Sequence, residues 1–286
     1  MIFLDPTSDI AFKKLFGSSE HKNVLMSFLN SVLERHEGER IIEVIINDPS
    51  NHPETIESKA SIVDVRCSDQ QGNNYIVEMQ VVKQQDYAAR CQYYSALALS
   101  RQLKQGEKFE QLAPVIFIGV MDFELLKSSN YISHHLILNK ETREHSLRHL
   151  EFHFVELKKF SKSLDELHDD LEKWTYLLKN AKAIEKVPTE LKKPVVLQEA
   201  FDILAQSNWS IRELEAYDRY IDAMRSRENQ LETAYEDGKM EGEINKARII
   251  AKNMLAADMD ITQIVKITGL NTKELEDLTK ELAQKK

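Results

Sequence analysis

The spacing of apolar positions along the chain switches between helical and strand periods, and then settles. After Asp5 and Pro6, Ser8 stands as an N-cap ahead of Ile10, Ala11 and Leu15 at helical spacing, and Gly17 supplies a stop. Val24, Leu25, Phe28, Leu29 and Val32 repeat that spacing, so a second helix is expected. RIIEVIIN reads as a strand, and a loop through Asn47, Pro49 and Pro53 follows it. Strands are expected near 60–68 and 74–83, then a helix through DYAARCQYYSALALSRQLKQGEKF closed by Gly106. LAPVIFIGVM is a continuous apolar run, short enough for a central strand covered on both faces. YISHHLIL and LEFHFVEL predict two more strands.

From about residue 161 strand signals vanish and the periodicity is helical to the end. The stretch from Glu228 to Asp260 reads as one long charged helix, although Gly238 and Gly242 each cost about 1 kcal/mol relative to Ala. Two short helices then flank Gly269, Leu270 and Asn271, a spacing like that of a helix-turn-helix. The expected organisation is an α/β domain over 1–160, a helical connector over 161–225, and a C-terminal module over 226–286.

Length and charge narrow the classes. A chain of 286 residues can bury a substantial core. No run approaches the roughly 18 apolar residues that a membrane-spanning helix needs. The opening MIFLDPTSDI lacks the basic-then-apolar order of a secretory leader. Cys67 and Cys91 alone build neither a disulfide framework nor a zinc cage. A reduced, cytoplasmic setting without membrane partners is the expectation. The net charge of −9 argues against bulk electrostatic binding of nucleic acid, but leaves room for a nuclease with a local basic rim.

One stretch carries candidate chemistry. DVRCSDQQGNNYIVEMQ, residues 64–80, reads as a hairpin with Asp64 opposite Glu78, Ser68 opposite Asn74, and a loop over 69–73 in which Gly72 offers positive φ. Alternation puts Glu78 and Gln80 on one face and Val77, Met79 and Val81 on the other. Opposed carboxylates repel unless a proton or a cation lies between them. Mg²⁺ is held by oxygen ligands, often one or two carboxylates completed by waters and substrate phosphate. Spacing alone leaves two readings open, a solvent-facing hairpin kept soluble by its acids, or a hard-metal site.

The setting of that hairpin resembles a known family. DPTSDIAFKKLFG, SFLNSVL, IVDVRCSDQQGNNYIVEMQ, ARCQYYSALALSRQLKQGEKF and APVIFIGVM, in this order, resemble the recombination-promoting nuclease and transposase family of the PD-(D/E)XK nuclease superfamily. AKNMLAADMDITQIVKITGLNTKELEDL is similar to a tail found on such proteins. The resemblance implies a restriction-endonuclease-like core, with a mixed central sheet flanked by helices, followed by an all-α region. It implies that Asp64 and Glu78 ligand Mg²⁺ or Mn²⁺, with Ca²⁺ a further candidate, and that Gln80 stands where most of the superfamily has Lys. Asp9 matches an additional acid that supports a second metal; the alternative is an acid that favours the helix dipole. Lys59, Lys83 and Arg90 are the nearby candidates for the missing cation and for DNA contact, and solvated surface charge is the alternative for each. The implied function is metal-dependent hydrolysis of DNA phosphodiesters in recombination, mobile-element or phage-defence biology. A catalytically inactive relative that binds DNA or protein as an assembly factor is the alternative.

Other signals are weaker. His145, His149 and His153 recur every four residues, but across a strand, where no helix face gathers them; His134 and His135 alternate and do not chelate together. Tyr93, Tyr94, Leu97 and Leu103 are expected to pack against the sheet. The C-terminal module presents acids where a recognition helix offers Arg, Lys, Asn or Gln. Homo-oligomerisation or partner binding is therefore preferred over DNA binding for it, with Ile244, Ala247, Ala251, Met254 and Leu255 as the packing stripe.

Overall fold

A computed structural model describes residues 1–47 and 64–283. The chain divides into two compact units, 1–220 and 221–286.

In the first unit, helix α1 (Asp9–Phe16) is capped by the Ser8 side chain, which accepts from Ala11 N–H, and it buries Ala11, Phe12, Leu15 and Phe16. Helix α2 (Lys22–Val32) buries Val24, Leu25, Phe28, Leu29 and Val32, the stripe its sequence spacing predicts. A six-stranded sheet follows from β1 (Val44–Asn47), β2 (Val65–Asp69), β3 (Asn74–Gln80), β4 (Val115–Met121), β5 (Ile132–Ile137) and β6 (Leu147–Glu156). Its order is β1-β2-β3-β4-β6-β5. The β1–β2, β2–β3 and β5–β6 pairs are antiparallel, whereas β3–β4 and β4–β6 are parallel. Parallel pairing of β3 with β4 needs a crossover, and α3 (Tyr87–Ser100) provides it. Every residue of β4 is buried, as a doubly covered central strand requires.

Alternation along the strands divides the core between two faces. Val65, Val77, Met79, Ile116, Ile118 and Val120 pack under α1, α2, α4 (Asp170–Asn180) and α5 (Val195–Leu204). There Trp174 and Phe28 contribute an edge-to-face pair 5.9 Å apart. Ile76, Val115, Phe117, Met121 and Phe154 pack under α3. This mixed sheet between helical layers is the α/β fold class that the sequence leads one to expect.

The hairpin keeps its predicted register. Ser68 faces Asn74 and Val65 faces Val77. Gly72 takes φ +85° in the loop, where a side chain would be strained. The Asp69 carboxylate binds the loop from inside, accepting from the N–H groups of Gln71 and Asn73 and from the Tyr75 hydroxyl.

Some boundaries differ from expectation. β3 ends at Gln80 rather than near 83. The predicted strand start near 60 lies outside the described residues, and β2 begins at Val65. Helix α3 ends at Ser100, short of Gly106, because the Gln102 amide bonds both the N–H and the carbonyl of Ala113 and turns the chain back. The buried face of α3 is Tyr87, Cys91 and Ser95, with Tyr94, Ala98 and Leu99 beside it. Tyr93 is 50 % exposed, so it does not share the sheet-facing stripe expected of it.

Helix α6 (Ile211–Ala256) is continuous through Gly238 and Gly242 and crosses the boundary between the units. In the second unit, Ala251 packs with Ile264 of α7 (Ile261–Thr268) and with Leu275 and Leu278 of α8 (Thr272–Ala283). Ala247, Met254 and Leu255 join that cluster, while Ile244 is 45 % exposed. Among the described residues no helix is long and apolar enough to cross a membrane.

Gly119 of β4 lies opposite Glu78 in the parallel ladder. A Cβ there would stand 2.8 Å from the Tyr87 hydroxyl and 2.9 Å from Phe154 Cδ1. Gly119→Ala is therefore expected to destabilise the chain by roughly 1–3 kcal/mol through overpacking. Adding Tyr87→Phe should recover part of that loss, because it removes one of the two clashes. Urea denaturation of the single and double variants measures both effects.

Candidate active site

The hairpin register determines where the acids stand. Asp64 immediately precedes β2, and Glu78 lies on β3 with Met79 after it. Asp64 Oδ2 accepts from the Met79 N–H at 2.7 Å, which ties the two acidic positions together through one peptide unit. Their side chains meet different helices. Lys13 Nζ of α1 lies 3.6 Å from Asp64 Oδ1 and 2.7 Å from Asp9 Oδ1. Arg90 Nη2 of α3 lies 3.0 Å from Glu78 Oε1. One acid is thus held from the α1 side of the sheet and the other from the α3 side.

Burial shapes the charge of this site. It pushes the Asp64 carboxyl up to about 7; the Met79 N–H and Lys13 oppose the rise, and the neighbouring Asp9 carboxyl adds to it. Burial likewise raises the Glu78 carboxyl, against the pull of the Arg90 guanidinium. Glu78 is 6 % exposed, and its Oε2 is buried without a hydrogen-bond partner among the described residues. An unsatisfied buried carboxylate oxygen is costly unless a proton or a cation reaches it.

That oxygen bears on whether the residues present fit a divalent metal. Among the described residues no three or more His, Cys, Asp or Glu side chains converge as a closed cage. Mg²⁺ does not need one, since waters and substrate phosphate complete a set of one or two carboxylates. Asp64 and Glu78 are all-oxygen donors, linked through Met79, and one of their oxygens has no donor among the described residues. They fit a hard divalent cation, with Asp9 beside Lys13 at its margin.

The other expected residues take various places. The Gln80 amide donates to the Val82 carbonyl at 3.0 Å, following β3 out of the sheet. Lys83 donates to the Glu124 carbonyl at 2.7 Å. Arg90 also bonds the Gln84 side chain and lies near the Tyr87 and Tyr94 rings, at 5.7 and 5.9 Å. Lys59 lies outside the described residues.

Sequence reasoning missed Lys13. Its signal was present as Asp9 and Lys13, an i,i+4 pair on one helix face. It also missed Tyr220, whose phenol lies at the Asp9 main chain and feels the charges of Asp9 and Asp64. His134 and His153 meet across β5 and β6, with Nδ1 atoms 2.7 Å apart, so one ring donates to the other. Nothing in the local spacing of either histidine announced that partnership.

The Asp64 shift fixes the sign of a pH effect in metal-free protein. The unfolded carboxyl titrates near 3.8 and the folded one near 7, so between these values the folded chain keeps a proton that the unfolded chain has released. Its stabilising contribution is complete below the lower value and is lost as pH rises through about 7. Asp64→Asn should flatten the stability profile across this window by up to a few kcal/mol. Urea midpoints measured at several pH values in the presence of a chelator give the comparison.

Comparison with known proteins identifies a family. The family described as PD-(D/E)XK nuclease family transposase matches residues 6–234, which takes in α1, the whole sheet and α3. No curated protein and no solved structure matches the chain. With the match spanning most of its length, the chain belongs to the PD-(D/E)XK nuclease family transposases.

Proposed function

We propose that the chain is a divalent-metal-dependent DNA endonuclease acting in recombination or mobile-element movement. The observation that carries this reading is the pair Asp64 and Glu78, joined through the Met79 N–H, with Glu78 Oε2 buried and lacking a donor among the described residues. Asp64 and Glu78 would hold the metal, and the chemistry it would supply when bound is polarisation of the scissile phosphate and a lowered pKa of water. Water attacks phosphorus, one P–O ester bond breaks, and a phosphate monoester and a hydroxyl result.

The chain's own residues prepare that step. Asp64 gives up its proton on ligation, and Lys13, 3.6 Å away, stabilises the anion that remains. Arg90 holds Glu78 Oε1, so Oε2 is the oxygen that would be left to ligate the metal. Position 80 carries a neutral amide already bonded to Val82. Lys13 is therefore our candidate for the positive charge that lysine supplies at that position elsewhere in the superfamily.

Nicking of supercoiled plasmid in Mg²⁺, Mn²⁺ or Ca²⁺ tests the reading. Asp64→Ala and Glu78→Ala should each lower the rate by at least ~100-fold, beyond the 10–100-fold typical of outer-shell partners of a metal. Lys13→Ala should lower it about tenfold, within that outer-shell range. Equal cleavage by wild type and both acid variants would sink the assignment. A folded wild type inert in all three cations would instead mark an inactive relative that binds DNA or assembles complexes.

The second unit is part of the same proposal, as a self-association module. Met240, Ile244 and Ile261 are 61, 45 and 48 % exposed there. Deleting 221–286 should reduce the mass measured by light scattering to that of a monomer; an unchanged mass removes this role.

A further inference from the structure

A tyrosine hydroxyl is buried beside Glu78 with no hydrogen bond of its own. Ile76 of β3 packs under α3, as do Phe117 and Met121 of β4, so alternation puts Glu78 and Gly119 on that same face. The two are paired in the parallel ladder, on strands about 4.8 Å apart. Tyr87, which opens α3, fills the room that the glycine leaves. Its hydroxyl comes 2.8 Å from where a Cβ of residue 119 would stand. Phe154 of β6 is paired with Gly119 on the other side, and its ring offers no polar atom. Arg90, one turn along α3, lies 5.7 Å from the Tyr87 ring and holds Glu78 Oε1. Burial raises the Tyr87 phenol well above its ordinary pKa, and the nearby Glu78 charge adds to the rise.

Three polar atoms are left over at this spot. Glu78 Oε2, Tyr87 Oη and Arg90 Nε are each buried without a hydrogen-bond partner among the described residues. Tyr87 is 0 % exposed. A hydroxyl taken out of water without a partner costs free energy, and folded chains leave few in that condition. Cys91, one turn along α3, offers the hydroxyl proton only a weak acceptor, and the lone pairs of Oη remain free to accept. Glu78 Oε2 is an acceptor as well, so the two oxygens have nothing to exchange directly. A hydrated divalent cation suits both. It is ligated by the carboxylate oxygen, and it keeps several waters whose protons need acceptors.

We infer that Tyr87 is a positioning residue of the Glu78 site, its hydroxyl oxygen accepting a hydrogen bond from a water in the shell of the cation that Glu78 binds. The inference rests on the metal-dependent nuclease reading. It gives Gly119 a role besides packing, since any side chain there would displace the hydroxyl. Arg90 acts on the opposite oxygen, Oε1, so the two residues of α3 divide the carboxylate between them.

Calorimetric titration of the full-length protein with Mn²⁺, beside urea denaturation in a chelator, tests it. Tyr87→Phe removes the oxygen and keeps the ring. Its Mn²⁺ Kd should rise roughly tenfold, the lower end of the range for outer-shell partners of a metal. Its urea midpoint without metal should stay level or rise, because the wild type buries an unpaired hydroxyl that the variant lacks. A tyrosine that only packs the fold gives a lower midpoint with Mn²⁺ affinity unchanged, and that result overturns the inference. Cys91→Ala thins the same packing and leaves the hydroxyl in place, so it should lower the midpoint without changing Mn²⁺ affinity. An equal loss of affinity in Cys91→Ala also overturns the inference, since packing under α3 would then set the affinity. Glu78→Gln separates this inference from the reading beneath it. Binding that Glu78→Gln abolishes and folded Tyr87→Phe leaves untouched sinks the tyrosine alone. Binding that is absent in wild type, or indifferent to Glu78→Gln, sinks the metal reading and the tyrosine with it.

Discussion

The position of β3 between β2 and β4 is the constraint on which the rest of the first unit depends. Antiparallel pairing on one side sets Asp64 beside the Glu78–Met79 peptide, and parallel pairing on the other sets Gly119 opposite Glu78. A slip of one residue would turn Glu78 into the apolar layer beneath α1 and present Met79 to α3. Burial of Val77 and Met79 on one face and Ile76 on the other opposes that slip. The loop adds its own lock, because the Asp69 carboxylate is satisfied by Gln71, Asn73 and Tyr75 only in the observed register.

Given that register, the electrostatics of the site follow. Two carboxylates are drawn into low dielectric, where ionisation is disfavoured, and each is met by one cation from a helix. The compensation is incomplete by design of the packing. Lys13 divides itself between Asp9 and Asp64, and Arg90 satisfies only one oxygen of Glu78. A site of this kind retains an appetite for positive charge, the property expected of a metal-binding acid pair. Compensation by a well-paired salt bridge on every oxygen would have removed it.

How much of this was legible in the sequence depended on the range of the interaction. The stripes of α1 and α2, the central strand β4 and the hairpin register all follow from local periodicity, and Gly72 marks the turn. The end of α3 was not legible, because it depends on Gln102 reaching Ala113, a contact between chain segments. The sheet-facing stripe of α3 was misread at Tyr93, since apolar character alone does not say which of two adjacent tyrosines turns inward. Asp64, Glu78 and Asp9 were identifiable as candidates, but the role of Lys13 requires the packing of α1 against the sheet. His134 and His153 become neighbours only through β5–β6 pairing.

The division of the acid pair between two layers has a consequence for the chain while it is incomplete. Asp64 is anchored from α1 and Glu78 from α3, and these helices belong to separate apolar clusters on opposite faces of the sheet. Local opening of either layer costs less than global unfolding, so partly opened forms are visited far more often than the denatured state. Any such form loses one anchor, and with it the joint geometry of the two carboxylates. During synthesis α1 and α2 emerge before β4 and β6, whereas α4 and α5, which complete their layer, emerge only after the whole sheet. On the proposed nuclease reading, reactivity would be confined to the finished fold, and a chain caught halfway would be chemically silent.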